Sequence, residues 1–170
     1  MEKKKFELTT DTKIAFGRKL FRIKALIDFG NVNKGELGGY VEKEENLSHE
    51  GNAWISGNAE IYDNAWISGN AEIYGNAKIS GNAWISGNAK ISGNAWISGN
   101  DDYLCFKGLG SCNRNTTFFK CKDGHIHVSC GCFSGNLAEF EAKVKETHGE
   151  SKFAKEYLAC INVVKIHFEV

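Results

Sequence analysis

The amino-acid sequence predicts a mainly β protein, in which a short parallel β-helix of hexapeptide repeats precedes a small α+β domain. The first observation is a six-residue unit, close to GNAWIS, that occurs eight times between Gly51 and Asn100. The second is the abrupt end of this repeat at Asp101, after which the residue patterns change in kind. These observations predict three regions: a β-rich N-terminal entrance and cap (1–50), the β-helix (51–100) and the α+β domain (101–170).

The repeat itself indicates how each of its residues is used. Ala and Ile are two residues apart in every unit, so both point into the coil when side chains alternate along a strand. Gly-Asn, or Asp-Asn once, falls at the corner, where a positive φ is needed. Three units make a triangular coil of 18 residues, which stacks on the next coil at about 4.8 Å. The predicted outer stacks are Trp66 with Trp84, Glu60 with Lys78 and then Trp96, and Trp54 with Glu72 and then Lys90.

Four tryptophans project from the predicted β-helix. One interpretation is that these stacks fix the register of neighbouring strands. The other is that outward Trp residues, Trp66 and Trp84 above all, form a contact surface for a partner. Both interpretations remain open at this stage.

Composition limits the class of protein. The chain has 170 residues and zero net charge, with 21 basic and 21 acidic residues, which argues against binding nucleic acid over its whole surface. No apolar run approaches the length of a membrane span, and no apolar segment follows the basic start. With six cysteines and no secretion signal, we expect reduced thiols, a cytoplasmic location and no membrane contact.

The first fifty residues predict a hairpin and imperfect first coils. The runs Lys13–Phe16 and Leu20–Leu26 flank Gly17-Arg18, a plausible turn. Val41 and Leu47 are six residues apart, as the repeat requires, and two residues are extra near His49-Glu50. Such irregular coils are typical of the cap that closes an open β-helix end.

Two segments of the chain read LFRIKALIDFG and GELGGYVEKEENLSHEGNAWISGNA. Together they resemble the hexapeptide-repeat proteins of the YdcK-like group, which are labelled acyltransferases and occur in bacteria and phages. The resemblance covers about residues 20–100 and implies a left-handed β-helix. It also implies acyl transfer, for which the family typically uses a His base near an extruded loop, in a cleft between trimer subunits. This sequence has no long extruded loop, and His49 is the only histidine near the repeat. We expect His49 to lie in a capping turn rather than to act as a base.

The C-terminal residues predict strands and helices in the order β-β-β-α-α-β. The strands are Tyr103–Lys107, Thr116–Lys122, His125–Phe133 and Val163–Val170. Asp123-Gly124 is a strong signal for a two-residue hairpin turn. Asn136 caps one helix, with Glu139 in capping-box spacing, and Ser151 opens a second helix after Gly149.

The C-terminal domain contains residues of the types that bind zinc, so a metal site must be considered. These residues are Cys105, Cys112, Cys121, Cys130, Cys132, His125 and His127. A two-residue turn would pair Cys121 with Ile126 and place His125 and His127 on the opposite face from Cys121 and Cys130. Ligands from both faces cannot share one ion. We therefore expect buried thiols that pack as small apolar groups, and no metal.

A basic surface is the candidate binding site of the domain. No acid lies between Phe106 and Lys122, and the Gly-rich loop Gly108–Thr117 adds backbone N–H groups and hydroxyls. Such a surface suits a phosphate, a nucleotide, nucleic acid or an acidic protein patch. Phe118 is placed on the same exposed face. The predicted contact residues are Lys107, Arg114, Lys120, Lys122, His125 and His127.

These patterns favour a non-enzymatic binding protein with no cofactor. The β-helix would be a rigid platform, and the C-terminal domain would engage a macromolecular partner, expected to be a protein. The resemblance to phage-borne proteins suggests an accessory role for a mobile element, such as inhibition of a host defence system. A hexapeptide-type acyltransferase is the first alternative, and nucleotide or nucleic-acid binding by the C-terminal domain is the second. A homo-oligomer is compatible with all three.

Overall fold

A computed structural model describes residues 3–170 and shows two compact units, one that ends at Asn100 and one that spans Asp101–Val170. The strands of the first unit are β1 Phe6–Ala15, β2 Arg18–Ala25, β3 Leu37–Val41, β4 Trp54–Ile55, β5 Glu60–Ile61, β6 Trp66–Ile67, β7 Glu72–Ile73, β8 Lys78–Ile79, β9 Trp84–Ile85, β10 Lys90–Ile91 and β11 Trp96–Ile97. The second unit contains β12 Tyr103–Leu109, β13 Arg114–Lys120, β14 Ile126–Cys130, β15 Phe133–Asn136, α1 Leu137–His148 and α2 Lys152–Phe168. Short 3-10 turns cover Glu44–Asn46 and Asn100–Asp102. In the described part of the chain, neither α-helix has the length and apolar character that a membrane crossing requires.

The repeat forms a parallel β-solenoid of about three turns, as its period predicts. Every Ala and Ile of the eight units is buried, because both face the interior of the coil. The strands build three parallel ladders, β5-β8-β11, β4-β7-β10 and β6-β9. All the outer stacks predicted from the 18-residue spacing are present in this register.

The one corner without glycine has a structural role. Asp63 adopts a φ of 58°, the region that Gly occupies at equivalent corners, and its Oδ2 accepts a hydrogen bond from the Gly81 N–H at 3.2 Å. The Arg18 guanidinium forms an ion pair with Asp63 and a second one with Glu42, at 2.9 Å. Asp63, which replaces the glycine of the repeat, therefore provides a carboxylate that joins the N-terminal hairpin to the solenoid.

The N-terminal hairpin extends one face of the solenoid. β1 and β2 pair in antiparallel orientation, β2 pairs with β3, and β3 runs parallel to β5. The hairpin prediction is confirmed, although both strands are longer than predicted. The turn lies at Phe16-Gly17, both with positive φ, as a type I′ turn needs, and not at Gly17-Arg18.

The predicted first coil is confirmed by its pairing with the next one. Val41 pairs with Ile61, and Leu47 forms a parallel bridge with Ile67. Both Val41 and Leu47 are buried and continue the interior column of the solenoid.

Only two of the four tryptophans stay on the surface. Trp54 is 6% exposed and packs edge-on against Phe29, with ring centroids 5.4 Å apart. Trp96 is half-buried and packs against Phe16 of the hairpin turn. Trp66 and Trp84 contact each other at 5.1 Å and remain 39% and 53% exposed. Trp54 occupies its predicted outward position, but its expected exposure is wrong, because Phe29 of the N-terminal region packs against it.

The second unit is a four-stranded antiparallel sheet, β12-β13-β14-β15, with both helices on one face. The predicted helix starts are confirmed: Asn136 and Glu139 form a capping box, and the Ser151 side chain accepts from the Ala154 N–H. Phe118 is fully buried in the core between sheet and helices, so its predicted exposure is wrong. The core consists of Phe118, Ile126, Val128, Cys130, Phe140, Val144, Ala154, Tyr157, Ile161, Val164 and Phe168.

The predicted final strand Val163–Val170 is wrong, because α2 continues to Phe168. Ile161, Val164 and Phe168 follow the spacing of one helix face, and all three are buried. Alternation of apolar residues also fits this segment, but Ile166, which a strand would direct inward, is 78% exposed. β15 takes the fourth place in the sheet, so the order is β-β-β-β-α-α.

The predicted register of the β13–β14 hairpin is also wrong. Phe119 pairs with His127 and Lys120 with Ile126, one residue from the expected pairing. The Cys121 N–H donates to the His125 carbonyl at 3.0 Å, so three residues, Lys122–Gly124, form the loop. Gly124 supplies the positive φ that a three-residue loop requires. The shift exchanges the faces on which the predicted site residues lie.

Candidate functional site

A cavity of about 330 Å³ lies within the second unit, between the helix-covered side of the sheet and the two helices. Its size is in the range that holds small organic ligands. The turns after β12 and β14 form one wall, and α1 and α2 contribute the other. The cavity is lined by Ser111, Cys112, Arg114, Cys130, Cys132, Phe133, Phe140, Lys143, Val144, Thr147, His148 and Tyr157.

Arg114 is the predicted binding residue that the structure places in this cavity. It begins β13, where it pairs with Leu109 of β12, and its side chain is exposed. Cys112 raises the pKa of Arg114 by its charge and its hydrogen bond, with smaller effects from Cys130 and Cys132. No carboxylate among residues 3–170 forms an ion pair with Arg114, and its guanidinium keeps donors for a ligand.

Two glycines make space for the polar groups of the cavity. Gly131 occupies the first position of the β14–β15 turn with a φ of 59°, and a Cβ there would overlap the Arg114 guanidinium. At Gly110 a Cβ would lie 2.5 Å from the Tyr157 hydroxyl oxygen. Both turns therefore need glycine for backbone conformation and for the side chain that crosses them.

A buried polar cluster forms the floor of the cavity. Thr116 Oγ1 donates to Cys130 Sγ at 3.1 Å, and Cys130 Sγ lies 3.8 Å from the Tyr157 hydroxyl oxygen. The same hydroxyl donates to the Leu109 carbonyl at 3.4 Å. Burial, together with Cys130, raises the pKa of Tyr157, so its hydroxyl keeps its proton and can donate. The His148 ring stacks on the Tyr157 ring at 5.6 Å.

The charge of the lining has one sign. Arg114 and Lys143 are cationic, and no Asp or Glu belongs to the lining. Lys143 does form an exposed ion pair with Glu146 at 3.0 Å, which a bound anion would compete with. Apolar surface comes from the half-buried ring of Phe133 and from the edges of the almost fully buried Phe140 and Tyr157 rings. An anion that carries a flat ring fits this combination of charge and shape.

The other predicted binding residues of this domain lie elsewhere. Lys107 is exposed on β12, and Lys122 is exposed in the β13–β14 loop. Lys120 forms an ion pair with Asp102 at 2.9 Å and lies over the Phe168 ring. His125 and His127 occupy the opposite face of the sheet from the helices. The single basic face expected from the sequence is therefore wrong.

The expectation of buried thiols is correct for only some of the cysteines. Cys121 and Cys130 are buried, whereas Cys105, Cys112 and Cys132 are exposed, and none of the six forms a disulfide. Burial raises the pKa of the Cys121 thiol to about 11. Cys112 and Cys132 are exposed at the mouth of the Arg114 cavity, which gives this site an unusual thiol content.

His49 has a structural environment in the first unit. Its Nδ1 accepts the Lys5 N–H at 3.1 Å, and its Nε2 lies 2.7 Å from Glu44 Oε1. The ring stacks on Phe6 at 4.3 Å. Both nitrogens are thus engaged within the cap, which leaves none to remove a proton from a substrate. This arrangement agrees with the expectation that His49 belongs to a capping turn.

The sequence signal for the cavity was incomplete. The sequence indicates Arg114 and its loop, but no local pattern gives the orientation over the sheet of the helices that contribute Lys143, His148 and Tyr157. Gly131 is a sequence signal for the turn that contributes Cys130 and Cys132 to the cavity, because glycine favours tight turns.

No family model matches the chain, and no curated protein matches it.

Proposed function

We propose that this chain is a ligand-binding protein whose C-terminal domain holds a small phosphate-bearing molecule with a flat ring, of the nucleotide class. The observation that carries this proposal is the cavity around Arg114, which combines two cationic side chains and three aromatic rings without a lining carboxylate. A guanidinium binds a phosphate through two parallel hydrogen bonds, and aromatic surfaces stack on a base.

A binding function accounts for the cavity better than acyl transfer does. The engaged nitrogens of His49 remove the one candidate base near the solenoid, and the cavity lies in the domain that the acyltransferase resemblance does not cover. In this proposal the solenoid acts as a rigid platform.

The test is calorimetric titration of the full chain with adenosine 5′-monophosphate, and with inorganic phosphate as the probe for charge alone. We expect the nucleotide to bind more tightly than phosphate. Arg114→Gln should weaken nucleotide binding by about 10- to 100-fold, since a hydrogen bond to a charged group contributes about 1.5–3 kcal/mol. Lys107→Gln removes the same charge from an exposed position outside the cavity and should leave binding nearly unchanged. Equal weakening by both variants would contradict the proposal.

The resemblance of residues 20–100 to phage-borne proteins suggests a biological setting for this proposal. We propose that ligand capture serves a mobile element by withdrawing a small molecule that a host defence system needs. Protein purified from host cells, heat-denatured and analysed by mass spectrometry should release a phosphate-bearing compound, and Arg114→Gln protein should release much less.

A protein partner at the solenoid is the second candidate function. The exposed pair Trp66 and Trp84 favours it, because paired exposed aromatics are typical of interfaces. The Trp84 Nε1 donates to Ser68 Oγ at 3.3 Å, so this ring is held in a fixed position for contact.

A further inference from the structure

Three metal-ligating side chains meet beside the β13–β14 loop, on the sheet face that the helices do not cover. The ligand atoms of Cys121, His125 and His127 all lie within 4.8 Å of one another. From this geometry we propose that the three residues form a binding site for a transition-metal ion of the zinc class. The site is separate from the Arg114 cavity and does not depend on the function proposed for that cavity.

The hairpin register brings the three residues together. Cys121 and His125 are directly opposite, because the Cys121 N–H donates to the His125 carbonyl. His127 lies two residues further along β14, opposite Phe119, and so projects from the same face. In an antiparallel pair, directly opposite and next-but-one neighbours on one face are close enough to share an ion.

Each histidine is already oriented by an outer hydrogen bond. His125 Nδ1 lies 2.5 Å from Asp123 Oδ1, which leaves the Nε2 of His125 for a metal. His127 Nε2 lies 2.8 Å from Ser134 Oγ, which leaves the Nδ1 of His127. A carboxylate behind a ligating histidine fixes the ring and increases its basicity, and such outer partners are the usual companions of zinc ligands.

The donor set selects the kind of metal. One sulfur and two imidazole nitrogens suit Zn²⁺ and its neighbours, whereas Mg²⁺ and Ca²⁺ require oxygen ligands. Zinc-ligand bonds of about 2.0–2.3 Å place tetrahedral ligands about 3.3–3.8 Å apart, so the ligand atoms need to approach one another by at most about 1.5 Å. Rotation of the exposed His125 side chain supplies this movement.

Binding would displace the thiol proton of Cys121 to solvent, since a coordinated sulfur is a thiolate. Three protein ligands leave the fourth tetrahedral position open to water or to an external ligand, which is the arrangement of reactive rather than purely structural zinc sites.

The test is titration of untagged, metal-free full chain with Co²⁺, followed by displacement with Zn²⁺. We expect one equivalent of Co²⁺ to produce sulfur-to-cobalt charge-transfer absorption and tetrahedral d–d bands, which Zn²⁺ abolishes. Cys121→Ser should remove the charge-transfer band, and His127→Gln should weaken Co²⁺ binding at least tenfold. Asp123→Asn, which keeps all three ligands, should weaken it about 10- to 100-fold through the outer hydrogen bond.

Cys160→Ser is the matched control, because it removes a half-buried thiol of α2 that belongs neither to this cluster nor to the Arg114 cavity. It should leave the cobalt spectrum unchanged. The helical circular dichroism of each variant establishes that the domain is folded. Absence of the bands in the unaltered protein, or their persistence in Cys121→Ser, would overturn the proposal.

Discussion

The two units of this protein arrange their polar side chains in opposite ways. In the solenoid, each outward residue meets its counterpart from the next coil, so that Glu60 contacts Lys78 at 3.0 Å and Glu72 contacts Lys90 at 3.2 Å. In the C-terminal domain, cationic and thiol groups from distant segments converge on one cavity without a carboxylate. The repeat places equivalent positions of successive coils beside each other, where opposite charges form ion pairs. A chain without a repeat can bring chemically different side chains together in one site.

The unfolding of each unit can be followed separately in the full chain. All four tryptophans lie in the solenoid, and both α-helices lie in the C-terminal domain. Tryptophan fluorescence therefore follows unfolding of the first unit, and the helical circular dichroism signal follows unfolding of the second.

The largest expected effect concerns the end of α2. Val164→Asp places a charge in the core of the C-terminal domain and should lower its free energy of unfolding by about 4 kcal/mol or more. Urea unfolding followed by circular dichroism should show this loss, while the tryptophan transition stays in place.

Ile166→Asp is the matched control, because Ile166 is exposed. It should cost about 1 kcal/mol or less, chiefly from an acid near a helix C-terminus. A strand over Val163–Val170 would bury both residues on one face, so equal and large losses would contradict the helix.

This contrast also shows how far sequence reasoning extends. In the repeat, one period determines burial, corner and stacking partner together, so the pairing of Trp66 with Trp84 followed from spacing alone. In the C-terminal domain, Val164 and Phe168 satisfy both a strand and a helix pattern, and only packing against the sheet decides between them. Asp123-Gly124 predicts a two-residue loop, but the loop has three residues. The extra residue shifts the pairing by one position, so that His125 and His127 lie on the same face of the sheet as Cys121.

The second prediction concerns two equivalent solenoid corners. Gly69 and Gly87 have the same φ of 66°, so alanine is strained at both. A Cβ at Gly69 would lie 2.9 Å from the Gly87 nitrogen of the next coil, whereas a Cβ at Gly87 meets no atom within 4 Å. Gly69→Ala should therefore cost about 2–5 kcal/mol, from left-handed strain and overpacking, and Gly87→Ala about 1–2 kcal/mol.

Tryptophan fluorescence during urea unfolding measures both corner variants. The difference between them isolates the close approach of stacked coils from the conformational preference of glycine. If the two losses are equal, stacking distance does not limit the repeat, and the glycines serve conformation alone.

The smallest expected effect is the loss of stability when a carboxylate of a solenoid ladder is neutralised, and it should be larger for a buried carboxylate than for an exposed one. Burial by itself would raise the pKa of Glu60, but hydrogen bonds from Lys13 and Lys78 outweigh it and hold the pKa below its ordinary value. The Glu60 side chain is 10% exposed, and that of Glu72 is 47% exposed beside Lys90. Glu60→Gln should destabilise the solenoid by about 1.5–3 kcal/mol, and Glu72→Gln by less than about 1 kcal/mol.

The sign of the pH dependence follows from the lowered pKa. Because the unfolded chain binds a proton to Glu60 more readily than the folded chain does, the contribution of this carboxylate is complete above its unfolded pKa. It declines as the pH falls from there through the folded pKa. Tryptophan-monitored unfolding across this acid range should therefore lose less stability in Glu60→Gln than in the unaltered protein. An identical acid response in both would show that the ion pairs of Glu60 contribute nothing beyond those of an exposed ladder.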